Sequence, residues 1–248
     1  MWTRRDLKAR AKEVLKISYW KAFVVSLVLF LVGGDSGNGT SGSNFRDGSS
    51  DNMYGYFNQP DYGFSLYYNW IFIIIVIAIA FMVFRIMIGY ALEVGGRRFF
   101  KQAAQMDVDM GYLGYAFKSE RYKDVIVTML YKGVLNFLWY LLLIIPGIVK
   151  SYAYSMVPYI LADNPNIGYR RAVELSNQMT EGHKFDMFIL DLSFIGWYLL
   201  GMLLFFIGIF FVKPYENATE AELYLVLRQN AFDNGHCTSA ELLMENII

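Results

Sequence analysis

Residues Trp70–Leu92 read WIFIIIVIAIAFMVFRIMIGYAL, and the only charge in the stretch is Arg85. A hydrocarbon core of about 30 Å is crossed by about 20 apolar residues in a helix. The β-branched content would suit a buried strand if the run were short. At this length a helix is the better reading, because in lipid a helix satisfies its own backbone hydrogen bonds. The stretch predicts a membrane-spanning helix, and the rest of the chain is read outward from it.

Composition agrees. Of 248 residues, 56% are hydrophobic and 18% charged, against roughly 45–50% and about 25% in soluble domains. Formal net charge is zero, so no bulk attraction to nucleic acid is implied. The one cysteine, Cys237, excludes an intrachain disulfide and a cysteine-based metal site. Two histidines, His183 and His236, are too few for a histidine cluster.

Upstream, residues 17–33 form a weaker span, with Tyr19 and Trp20 at headgroup level and Lys21 reaching toward water. Downstream, Val125–Leu161 is punctuated at Pro146-Gly147. It reads either as a hairpin of two spans, 125–145 and 148–161, or as one kinked helix. A fifth span covers 187–205. A sixth, 208–227, contains Lys213, Glu216, Glu220 and Glu222, too polar to face lipid. It either lines the bundle interior or leaves the membrane early. The expectation is an all-α, polytopic transmembrane bundle of about six helices. One domain covers residues 1–228, with a flexible outer loop at 34–69 and a C-terminal tail at 229–248.

Lysine and arginine orient the spans. The N-terminal tail holds Arg4, Arg5, Lys8, Arg10, Lys12 and Lys16, and the segment after the second span holds Arg97, Arg98, Lys101, Lys118, Arg121 and Lys123. Between the two spans stands only Arg46. The N-terminus is therefore expected in the cytoplasm of a cell-membrane protein, with residues 33–69 outside and 94–124 inside. Arg170, Arg171 and Lys184 put 163–186 inside as well, which favours the hairpin. Six spans place the C-terminus inside; five place it outside.

The opening TRRDLKARAKEVLK reads as a basic amphipathic helix with Thr3 and Asp6 at capping-box spacing. Arg4, Arg5, Lys8 and Lys12 are candidate contacts to an anionic membrane surface; the alternative is a solvated tail that only sets orientation. A second, interfacial helix is expected near 166–181, where Ala172, Val173, Ser176 and Met179 recur at helical spacing.

Ionisable groups inside spans are costly and mark functional candidates. Here they are Arg85, Glu93, Asp191, Lys213 and Glu216. Arg85 and Asp191 fall at similar depth, which suggests an interhelical pair. No GxSxG elbow, P-loop, HExxH or dinucleotide fingerprint occurs, so no enzyme, metal or cofactor is expected.

Several segments resemble one family. They are MWTRRDLKARAKEVLK with YWKAF at the start, LEVGGRRFF at Leu92–Phe100, LLLIIPGIVKSYAYSMVPYILADNP at Leu141–Pro165, FDMFILDLSFIGWYLLG at Phe185–Gly201 and PYENATEAELY at Pro214–Tyr224. Together they resemble the domain-of-unknown-function family 975, predicted bacterial multi-pass membrane proteins. The resemblance implies that architecture and supplies no activity or catalytic residues. The stretch from IPGI to QMTEG is more weakly similar to the membrane domain beside some glycerophosphodiester phosphodiesterases, whose catalytic barrel is missing here. Two function classes follow as expectations. One is a non-enzymatic scaffold or accessory binding the lipid bilayer or a membrane-protein partner. The other is a small transporter or channel with a polar path near Arg85 and Asp191.

Overall fold

The structure, a computed structural model, describes residues 2–32, 62–203 and 207–243. The expected outer loop lies, up to residue 61, outside the described residues. The fold is an all-α helical bundle, with no strand among the described residues. Among the described residues, four helices are long and apolar enough to cross a membrane, within Arg4–Leu31, Trp70–Ala104, Arg121–Leu142 and Lys184–Met202.

Helix α1 (Arg4–Leu31) runs unbroken from the basic opening into the first apolar run. Thr3 caps it: its hydroxyl accepts from the Asp6 amide at 3.2 Å and donates to the Asp6 carboxylate at 2.7 Å. Leu7, Ala11, Val14, Leu15, Ser18, Ala22, Val25 and Leu29 form one buried stripe, which packs on α3 and α9. The apolar face of α1 is used up in the protein core, and the small residues on it allow close helix approach.

Helix α2 (Tyr62–Phe84) continues through a π-helical turn, Arg85–Gly89, into α3 (Tyr90–Ala104). The best apolar window of this long helix has mean hydropathy 3.1, and none of that window is buried inside the protein. A 3-10 segment, Met110–Phe117, folds back onto α3, its start capped by Asp109 accepting from the Gly111 amide at 2.9 Å.

Helix α4 (Ser119–Leu142) ends at Leu143, whose extended backbone (φ −160°, ψ 142°) reverses the chain into α5 (Ile144–Ala153). The Lys150 ammonium lies 5.2 Å from the centroid of the Trp139 ring, a contact that one continuous helix would not allow. The turn thus falls ahead of Pro146, which sits in the first turn of α5. There its missing N–H has no intrahelical acceptor to lose. After a break at Tyr154–Met156, α6 (Val157–Asp163) is buried at every residue.

Helix α7 (Tyr169–Met179) buries Ala172, Val173, Leu175, Ser176 and Met179. This is the helix expected near 166–181, and it docks on the bundle, with the Ser176 hydroxyl donating to the Ala153 carbonyl at 2.7 Å. Helices α8 (Lys184–Leu203) and α9 (Ile207–Asp233) pack together, and α9 also packs against α1, α3 and α7.

The residues after α9 return to α7, where Arg171 pairs with Glu241 at 2.5 Å and donates to the His236 carbonyl at 2.6 Å. The hydrogen bond from Arg171 holds the Glu241 carboxyl below its ordinary value of 4.5. A lowered folded value means this tether is fully present above pH 4.5 and is lost as pH falls through the folded value. Amide exchange over 234–243 is expected to speed up at that acidification. Glu241→Gln should show the faster exchange already at pH 7, with the acid step gone. An unchanged acid step in Glu241→Gln would assign it to another group.

Candidate functional site

Glu93, Arg97 and Lys101 recur every four residues along α3, so they share one face. That face is turned into the bundle, with the three residues 1%, 4% and 5% exposed. Arg97 and Lys101, read from the sequence only as orienting charges, are therefore buried. A buried charge is tolerated only where it is paired and hydrogen-bonded, and each of them is.

Arg97 pairs with Glu220 of α9. Its Nη1 also donates to Asn217 Oδ1 at 3.0 Å and to Tyr159 Oη at 3.3 Å. Asn217 in turn donates to Ser26 Oγ of α1 at 3.0 Å. One turn further along α3, Lys101 pairs with Asp163 at the end of α6. The second carboxylate oxygen of Asp163 accepts from Arg228 Nη1 at 3.0 Å and Tyr224 Oη at 2.5 Å. Arg98 donates to the Ala162 carbonyl, one of the carbonyls that the end of α6 leaves without an intrahelical partner. Four helices are thus cross-linked through one face of α3.

Arg85 and Asp191 are not brought together. Arg85 Nη1 donates to the Val32 carbonyl at the end of α1, at 2.6 Å, and Nη2 lies 3.4 Å from Glu93 Oε2. Asp191 accepts from Tyr152 Oη at 2.8 Å. The terminal carbonyls of a helix lack intrahelical donors, and a cation there also complements the helix dipole. Val32 and Arg85 were expected near opposite faces of a membrane; the structure joins them, because α1 packs antiparallel on α3 rather than beside α2. A Cβ on Gly89 would lie 3.0 Å from the Val32 oxygen, so glycine allows this approach. Arg85→Ala is expected to cost about 1.5–3 kcal/mol, the range for hydrogen bonds to a charged group. It should also accelerate amide exchange at residues 28–32. Wild-type exchange there would reject the capping role.

Of the other candidates, Lys213 pairs with Glu216 at 2.9 Å, and Tyr198 also donates to Glu216. Lys8 is drawn inward: its ammonium donates to Ser193 Oγ at 2.6 Å and sits 4.0 Å from the Phe194 ring centroid. Lys12 lies 5.7 Å from the Tyr215 ring. Arg4 and Arg5 are exposed. Asp163, Asn217 and Arg228 were not anticipated; the signal that could have found a polar helix face is the four-residue spacing of Glu93, Arg97 and Lys101.

Beside Arg97 lies a cavity of about 40 Å³, with Ser151, Tyr152, Asp191 and Glu220 in its wall. At about 10–15 Å³ per water it has room for roughly three waters. Among the described residues, no group of three or more His, Cys, Asp or Glu side chains is placed to hold a metal ion.

A family model described as "Protein of unknown function (DUF975)" matches residues 63–231. No curated protein and no solved structure matches the chain.

Proposed function

The chain belongs to the DUF975 family of proteins of unknown function, and on that premise we propose that it is a multi-pass cell-membrane protein acting as a non-enzymatic scaffold or accessory. In this reading the N-terminus is cytoplasmic, and the protein binds lipid or another membrane protein. The observation that carries it is the closed state of the charged interior. Arg97, Lys101 and Arg228 are each engaged by a carboxylate from a distant element, and the cavity beside them is only water-sized. Charges spent on one another hold helices in register and leave a stable surface as the working part.

The test is capture of the full chain from native membranes in lipid nanodiscs, followed by mass spectrometry of everything retained. A stoichiometric protein partner or an enriched lipid supports the reading. Recovery of the chain with neither counts against it.

A second reading, a small transporter or channel, is favoured by the carboxylates of Asp191 and Glu220 at the cavity wall. Proteoliposomes carrying a proton- or cation-sensitive dye decide it. Flux that disappears in Asp191→Asn would establish a path, and absence of flux in the wild type would reject one.

A further inference from the structure

A groove lies where the C-terminal end of α2 meets the corner leading into α4. It has a volume of about 830 Å³, within the 300–1,000 Å³ usual for ligand sites. Ala80, Val83, Phe84 and Met87 form its floor, Phe117 and Tyr122 its wall, and Lys123 its polar rim. The floor is apolar and open, with Val83 49%, Phe84 43% and Met87 53% exposed.

The wall is held in place. The Phe117 and Tyr122 rings stack at 6.3 Å. The Tyr122 hydroxyl donates to the Met87 carbonyl at 2.7 Å, inside the π-turn. Widened turns of this kind recur at functional sites. Positive charge gathers at the same corner. Arg98 and Arg121 both lie against the Tyr115 ring, at 3.8 Å and 4.5 Å from its centroid, and Lys118 and Lys123 are exposed. The stretch Lys118–Asp124 holds three basic and two acidic residues, and Arg98 adds a further positive charge beside it.

An apolar channel running along a lipid-facing helix and ending at cations matches an acyl chain that ends in a phosphate. We infer that this groove binds an anionic phospholipid, one acyl chain on the α2 floor and the phosphate against Lys123, with Lys118 and Arg121 beside it. Juxtamembrane cations favour anionic lipids over zwitterionic ones by roughly fivefold each.

The inference rests on the membrane placement proposed above, which alkaline carbonate extraction of the expressing membranes checks separately. The test uses the full chain in nanodiscs of phosphatidylcholine doped with phosphatidylglycerol. It reads the lipid retained after transfer to detergent, by native mass spectrometry, together with the melting temperature. Expected are retention of phosphatidylglycerol over phosphatidylcholine and a higher melting temperature with the anionic lipid. Lys123→Gln should lower that selectivity roughly fivefold. Val83→Trp, at an exposed floor position that tolerates bulk, should abolish retention while leaving the melting temperature in pure phosphatidylcholine unchanged. Equal retention of the two lipids overturns the inference, as does undiminished retention in Val83→Trp. Oleate displacing the phospholipid at equal concentration would assign the groove to free fatty acid and overturn the headgroup part.

Discussion

Asp163→Ala is expected to destabilise the bundle by about 3–5 kcal/mol, the range for removing one member of a buried charge group. Its carboxylate is met by Lys101, Arg228 and Tyr224, and its side chain is 2% exposed. Removal leaves two cations facing each other in a space that water reaches poorly, with side chains 6% and 10% exposed. The cost is therefore mainly that of stranded charge rather than of a lost attraction. Thermal unfolding in nanodiscs measures it. The combined replacement Lys101→Met, Asp163→Leu and Arg228→Met tests the cause, because removing the whole group is often close to neutral. If Asp163→Ala melts with the wild type, the triad carries no structural weight. If the triple variant is as unstable as the single one, loss of packing rather than stranded charge explains the effect.

The second large effect is expected at Gly95. A Cβ there would lie 2.8–2.9 Å from the Leu113 carbonyl carbon and Cα, and closer still to its oxygen. These are backbone atoms of the 3-10 segment, which cannot rotate away as a side-chain tip does. Gly95→Ala is expected to cost about 1–3 kcal/mol or more, as overpacking does, and to lift Met110–Phe117 off α3. Gly114→Ala, where a Cβ would meet nothing within 4 Å, is the control; it should be neutral or slightly stabilising. Hydrogen exchange over residues 108–118 reads both. Equal protection in the two variants would mean that the segment and α3 are not tightly docked. The same segment carries Phe117 and Tyr115, so Gly95→Ala should also weaken the lipid groove without touching it.

Much of the fold was legible in local pattern. The apolar run after Trp70, the capping residues Thr3 and Asp6, and the run around Pro146 each speak through near neighbours, and a helix is made by near neighbours. The reversal was placed at Pro146-Gly147, whereas the chain turns at Leu143. Proline is conspicuous in a sequence, but in the first turn of a helix it costs little, so the chain was free to turn earlier.

The candidate site was less legible. Basic residues after a span read as orienting charges whether they stand exposed, as Lys118 and Lys123 do, or buried, as Arg97 and Lys101 are. The two kinds look alike in one dimension. Arg85 and Asp191 were matched by estimated depth and opposite sign, yet Arg85 found a backbone carbonyl and Asp191 a tyrosine hydroxyl. Depth along a helix does not say which face points at which neighbour. Likewise the apolar faces of α1 and α7 carry the same periodicity whether they meet lipid or protein.

By itself, then, the sequence determined that the chain is helical and that its long apolar runs suit a membrane; the four helices long and apolar enough to cross one, among the described residues, are fewer than the six spans expected. Long apolar runs have to satisfy their backbone internally, and length and composition settle that without reference to distant residues. Only the tertiary structure decided where the charges went. Asp163 lies 62 residues from Lys101 and 65 from Arg228, and Arg97 lies 120 from Asn217. A buried ion is stable only beside its partner, and partners that far apart along the chain meet only through the way the helices cross.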